Sequence, residues 1–179
     1  MRKPNKKTCI PAALIIITIA VGSYIFYNSF QLSEFSNARS DYIIKIISPI
    51  LDPHGKISAS VWNNAVRKAA HMFEYALLGI CLGSFASYLS SKKGRAYICM
   101  PLFISLFAAT TDEYIQSFRG RTSTVKDILI DFAGACIGMI LVFLAVSLYR
   151  YFSKKKKTII QKKIRRSKIS AADLTLYSI

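Results

Sequence analysis

Seven residues spread over three apolar segments have the types and spacing to do chemistry: His71 and Glu74; Asp112, Glu113 and Gln116; Asp127 and Asp131. Residues three or four apart share a helix face, so His71 pairs with Glu74 and Asp112 with Gln116. Glu113 is turned about a quarter of the helix away. Asp127, Asp131, Gly134 and Gly138 then form a stripe at i, i+4, i+7 and i+11. Small residues there permit close helix approach, and the acids point toward the same neighbour. Arg119 and Arg121 stand in the turn between the last two segments.

Three chemistries suit this set. Arginines, an imidazole and carboxylates can hold a phosphate, a carboxylate or an ammonium group by charge complementarity, which makes His71, Glu74, Asp112, Glu113, Gln116, Arg121, Asp127 and Asp131 candidate ligand-binding residues. Glu113 or Asp112 could instead act as a general base with His71 as partner, in an intramembrane hydrolase or transferase. The third reading is a polar network that glues helices together, with Arg121 on Asp112 or Asp127 and His71 on Glu74. An ionised side chain at mid-bilayer costs roughly 2.5 to 3.5 kcal/mol, so these acids must be shallow, paired or protonated. His71-x-x-Glu74 supplies only two metal donors and no HExxH spacing is present, so neither a metal nor a cofactor is expected. The four cysteines, Cys9, Cys81, Cys99 and Cys136, are scattered and form no disulfide framework.

The segments that position these groups read as membrane helices. Hydrophobic residues make up 53% of the 179 and the mean hydropathy is +0.34, high for a soluble domain. Apolar runs at 10–30, 69–89, 96–114 and 128–149 each approach the ~20 residues that cross a bilayer. The net charge of +16 is distributed one-sidedly. With the amino terminus inside, seventeen of the 25 basic residues fall on inner segments, against the single acid Asp173. The outer half is neutral. This positive-inside pattern predicts a multi-pass protein of the cell membrane with both termini cytoplasmic. It also argues against nucleic acid, for no nucleic-acid-binding motif accompanies the charge.

The resulting expectation is an all-α integral membrane four-helix bundle. Residues 1–9 form a basic cytoplasmic start and 10–30 the first span. Residues 31–66 form an outer connection, 67–149 the core with three spans, and 150–179 a basic tail. Within the connection, Tyr42 to Leu51 predicts a short interfacial helix capped by Ser40, interrupted at Pro49 and lying over the bundle. Ser58 or Ser60 is the expected cap of the second spanning helix.

Two blocks carry a family resemblance. Arg67-Lys68-Ala-Ala-His71-Met-Phe73-Glu74-Tyr75-Ala-Leu-Leu-Gly79 and Asp112-Glu113-x-x-Gln116-x-Phe118-x-Gly120-Arg121 resemble the paired motifs of the VanZ-like family, and Asp127, Asp131, Gly134 and Gly138 continue the second. Asp131 stands where Asn is common and Arg119 where Pro is. The resemblance implies a four-helix membrane protein linked to reduced susceptibility to lipid-bearing glycopeptides such as teicoplanin. The partners expected from charge complementarity at the outer polar residues are membrane lipids, a lipid-linked envelope precursor or the lipoglycopeptide itself. Glutamate-type CAAX-processing membrane proteases are not matched, because their E-E-x-x-x-R spacing would require arginine at Ser117.

Overall fold

Apolar runs separated by short polar turns fold here as helices throughout. The computed structural model describes residues 6–31, 33–119 and 123–176, with side chains for 9–31, 37–119 and 123–161. Five helices follow in order: α1 (Lys6–Ser29), α2 (Ser33–Leu51), α3 (Ala59–Lys93), α4 (Cys99–Ser117) and α5 (Val125–Leu176), with no strand among the described residues. The chain divides into two compact units, Met1–Val142 and Phe143–Ile179. The first holds α1 to α4 and the start of α5. The second is the continuation of α5, which runs on past the expected end at Tyr149 because no Gly or Pro follows Gly138 and Lys, Arg, Ala and Leu sustain a helix.

Local chemistry sets the helix ends. Ser58 takes the N-cap position of α3 with extended backbone (φ −66°, ψ 150°), although its hydroxyl lies 3.1 Å from that of Ser60 and does not cap the helix. Gly94 closes α3 in the left-handed region at φ 67°, donating its N–H to Ser90 O at 3.0 Å, while Lys92 and Lys93 complement the negative end of the dipole. Thr124 caps α5: the Asp127 N–H donates to the Thr124 hydroxyl oxygen at 3.3 Å, and that hydroxyl donates to Asp127 Oδ2 at 2.7 Å.

The first unit is built inside out relative to a soluble bundle. Its apolar core is narrow and includes Ile25, Tyr75, Leu78, Leu82, Ala109, Ala135 and Met139. Large apolar side chains such as Ile16, Ile19, Phe103 and Phe107 face outward instead. Water would not tolerate such a surface; lipid solvates it. Three helical stretches, Cys9–Ser29, Ala59–Lys93 and Val125–Gln161, are long and apolar enough to cross a membrane. The 19-residue α4 is not among them, because Asp112, Glu113 and Gln116 crowd its last turns.

Close approach of α3 and α5 follows from glycine. A Cβ on Gly79 would press into the backbone of Ala135, one on Gly134 into Met72, and one on Gly138 into Ala76 and Ile80. Glycines on both helices therefore let the α3 and α5 backbones meet within the chain.

The connection after α1 differs from expectation. Its helix is α2, which begins at Ser33 and places Ser40 in its interior, 5% exposed, so Ser40 is not a cap. Nothing between Ser33 and Asp41 breaks a helix, and Pro49, which removes one donor to the preceding turn, falls only two residues before the helix ends at Leu51. α2 packs on α3 while Tyr42, Ile46, Ile50 and Leu51 stay exposed, as suits a helix wetted by headgroups.

The α2–α3 turn is tied by Asp52, whose Oδ1 accepts from Lys56 N at 2.9 Å and Oδ2 from Ile57 N at 2.8 Å. The N–H groups of Ile57 and Lys56 hold this carboxyl below the usual carboxylate range. A depressed pKa contributes order above the unfolded value and loses it as pH falls through the folded one. Protease nicking at residues 53–58 is therefore expected to rise below about pH 4 in the wild type. In Asp52→Asn it should already be raised at pH 7 and should not change further with acid.

Candidate functional site

The end of α1 packs against α3 and α4, and the polar residues converge there and on the adjoining first turns of α5. On α3, His71 Nδ1 lies 4.0 Å from Glu74 Oε2 and 3.9 Å from Asp112 Oδ2. Asp112, fully buried on α4, accepts from Gln116 Nε2 at Oδ2 (2.9 Å) and from the Ser29 hydroxyl at Oδ1. Glu113 and Asp131 are also buried, at 4% and 2% exposure. One oxygen of each, Glu113 Oε2 and Asp131 Oδ2, has no hydrogen-bond partner among the described residues. Lys68 Nζ pairs with Asp127 Oδ1 at 2.8 Å.

The expected groups thus largely come together, with differences. Glu113 was expected off the shared face, yet it borders the same small cavity as His71, Gln116, Asp127 and Asp131, because the end of α4 is covered by α5 as well as by α3. Arg121 lies outside the described residues. Among the described residues, Asp127 accepts from Lys68 and Thr124, and Asp112 accepts from Ser29 and Gln116. Arg119 Nε donates to the backbone oxygen of Phe30 at 2.9 Å, tying the α4–α5 turn to α1.

The first two helices supply what sequence reasoning left out. Asn28 Nδ2 donates to Glu74 Oε1 at 2.8 Å, and Arg39 Nη1 on α2 donates to Asn28 Oδ1 at 3.2 Å. Ser29 is fully buried against Asp112. The only signal was a polar pair, Asn28 and Ser29, at the aromatic end of an apolar run.

Two cavities flank this network. A cleft of about 220 Å³ opens between α1, α2 and α3, with Arg39 and Arg67 among its walls, Tyr24, Ile43 and Val66 as apolar lining, and Asn28, His71 and Glu74 facing it. A second, of about 10 Å³, is bounded by Arg67, Lys68, His71, Glu113, Asp127 and Asp131. His71 borders both, so the imidazole stands between the larger cleft, walled in part by Arg39 and Arg67, and the smaller one, in which Glu113, Asp127 and Asp131 share the lining with Arg67 and Lys68. Such an arrangement can hold an anionic group in the larger space and a cation or shared protons in the smaller.

No curated protein and no solved structure matches the chain. The family model for VanZ/LLP1 does, across residues 14–147, which takes in most of α1, α2 to α4, the start of α5 and every candidate residue above. With that match and its membrane-spanning helices, this is a membrane protein belonging to the VanZ/LLP1 family.

Proposed function

We propose that this chain is a non-enzymatic protein of the cell membrane, with cytoplasmic termini and α4 as a fourth crossing, that binds an anionic headgroup carried on a lipid anchor. The headgroup belongs to a membrane lipid, a lipid-linked envelope precursor or a lipoglycopeptide, and it sits in the outer leaflet. The observation that carries this reading is the ~220 Å³ cleft, in which two guanidinium groups from different helices stand over an apolar wall. Arg39 and Arg67 offer bidentate donors to phosphate or carboxylate, and the apolar side accepts the start of an acyl chain. The acid network behind it holds α1, α3 and α4 in the register that forms the cleft.

Binding of phosphatidylglycerol and of phosphatidylcholine to the purified full-length chain in detergent micelles tests this directly. Phosphatidylglycerol is expected to bind more tightly, and Arg39→Ala with Arg67→Ala should weaken it by about tenfold or more, the size of a lost charge-assisted hydrogen bond. A second arm measures killing by a lipoglycopeptide and by a lipid-free glycopeptide in a susceptible Gram-positive host. Protection confined to the lipidated drug, and lost in the double variant at equal membrane abundance, assigns the cleft to the drug. Equal affinity for both lipids together with no protection in either drug arm would refute the reading.

A further inference from the structure

His71 on α3, Asp112 on α4 and Asp131 on α5 each offer a donor atom, and the three donors lie within 4.8 Å of one another. A first-row divalent ion with bonds of about 2.1 Å wants its donors roughly 3 to 3.5 Å apart, so this set needs to close by about one ångström. The means to close it are present. Asp131 is 2% exposed and its Oδ2 has no hydrogen-bond partner among the described residues, so its carboxylate is able to turn toward the other two. Glu113 Oε2, likewise buried and unpartnered among the described residues, borders the same ~10 Å³ cavity, a space of single-water or single-ion size.

Charge and second-sphere contacts point the same way. Asp112, Glu113 and Asp131 are three buried acids; the Lys68 ammonium is drawn to Asp127, and Arg67 also borders the small cavity. Burying ionised carboxylates costs several kcal/mol each unless a cation or protons compensate them. Metal-ligating carboxylates are characteristically oriented by further hydrogen bonds, and Asp112 has two, from Ser29 and Gln116.

We propose that His71, Asp112 and Asp131 bind one divalent transition-metal ion of the Zn²⁺ or Mn²⁺ class, with Glu113 as an adjacent third carboxylate. One imidazole with carboxylates is a borderline-to-hard donor set suited to these ions. The ion joins three helices at one point and neutralises the acids behind the larger cleft, and the assignment stands independently of what that cleft binds.

The test uses the full-length chain purified in detergent, stripped with chelator, equilibrated with Zn²⁺ or Mn²⁺ alone, and assayed for bound metal by mass spectrometry. About one equivalent per chain is expected in the wild type and in His54→Gln, which alters the exposed histidine of the α2–α3 turn. Asp131→Asn and His71→Gln should lower metal content or affinity by about tenfold or more. Cobalt loading gives a readout separate from stoichiometry, since visible ligand-field bands should appear in the wild type and disappear in Asp131→Asn. A folded wild-type chain that takes up neither metal overturns the proposal whatever the variants do. So does full metal retention in both ligand variants, which would mean adventitious binding elsewhere or acids neutralised by protons or Arg121.

Discussion

Gly138→Ala, a single added methyl group, is expected to abolish accumulation of correctly folded protein. The new Cβ would stand 2.9 Å from both the Ala76 carbonyl carbon and Ile80 N, and closer still to Ala76 O. These are backbone atoms of α3, so no side chain can turn aside to make room. Overpacking of this kind costs about 1–3 kcal/mol when neighbours yield, and more when whole helices must part. Gly79→Ala should be as severe, since its Cβ would meet the Ala135 backbone with Cα at 2.9 Å. Gly83 provides the contrast, because its nearest neighbour would be Met139 Cα at 3.2 Å and the next atoms belong to a flexible side chain. Gly22 on α1 meets nothing within 4 Å, so Gly22→Ala should be neutral or slightly stabilising, by up to about 1 kcal/mol of helix propensity. Monodisperse yield and thermal unfolding in detergent measure the series. If Gly138→Ala and Gly22→Ala melted alike, the glycine-mediated crossing of α3 and α5 would be wrong.

These glycines also show why part of the molecule was legible in the sequence. The pairs His71 and Glu74, Asp112 and Gln116, and Asp127 and Asp131 repeat at helical intervals, so their faces follow from local geometry alone. Hydropathy and the one-sided distribution of basic residues supplied the membrane class before any contact was known. What escaped was non-local. The bonds from Asn28 to Glu74 and from Ser29 to Asp112 join residues 46 and 83 positions apart, and no spacing rule reaches that far. Arg39 was likewise invisible as a cleft residue, because α2 was expected to begin only near Tyr42 and therefore not to carry it. Glu113, a quarter-turn from Asp112, still borders the cavity that His71 and Asp131 line. A face rule supposes one covered side per helix, whereas the end of α4 is covered on two.

Asp112→Ala should lose most of the folded population, whereas Asp112→Asn should retain it. Asp112 is fully buried and is the common acceptor for a helix that precedes it and a turn that follows: the Ser29 hydroxyl on α1 and the Gln116 amide on α4 both donate to it. Truncation to alanine strands the buried Gln116 amide, leaves the Ser29 hydroxyl only the Ile25 carbonyl at 3.1 Å on its own helix, and removes the carboxylate beside His71 Nδ1 at 3.9 Å. A stranded group costs about 1–3 kcal/mol, and breaking a buried charged network reaches about 3–5 kcal/mol, comparable with the whole stability of a small domain. Asparagine keeps the shape and an acceptor oxygen for Ser29, so the α1–α4 contact survives while the charge is gone. A cycle with Ser29→Ala isolates the contact itself. The coupling energy between Ser29→Ala and Asp112→Ala should be about 1 kcal/mol or more, and that between Ser29→Ala and Asp112→Asn much smaller, read from unfolding midpoints in one detergent. Zero coupling in the alanine cycle would mean that Ser29 does not donate to Asp112. Equal loss of fold in Asn and Ala would mean that the negative charge, rather than the acceptor geometry, holds α1 against α4. Asp112→Asn is then the informative chain for function, because it separates the charge needed to hold a cation among His71, Asp112 and Asp131 from the hydrogen bonds that assemble the bundle around it.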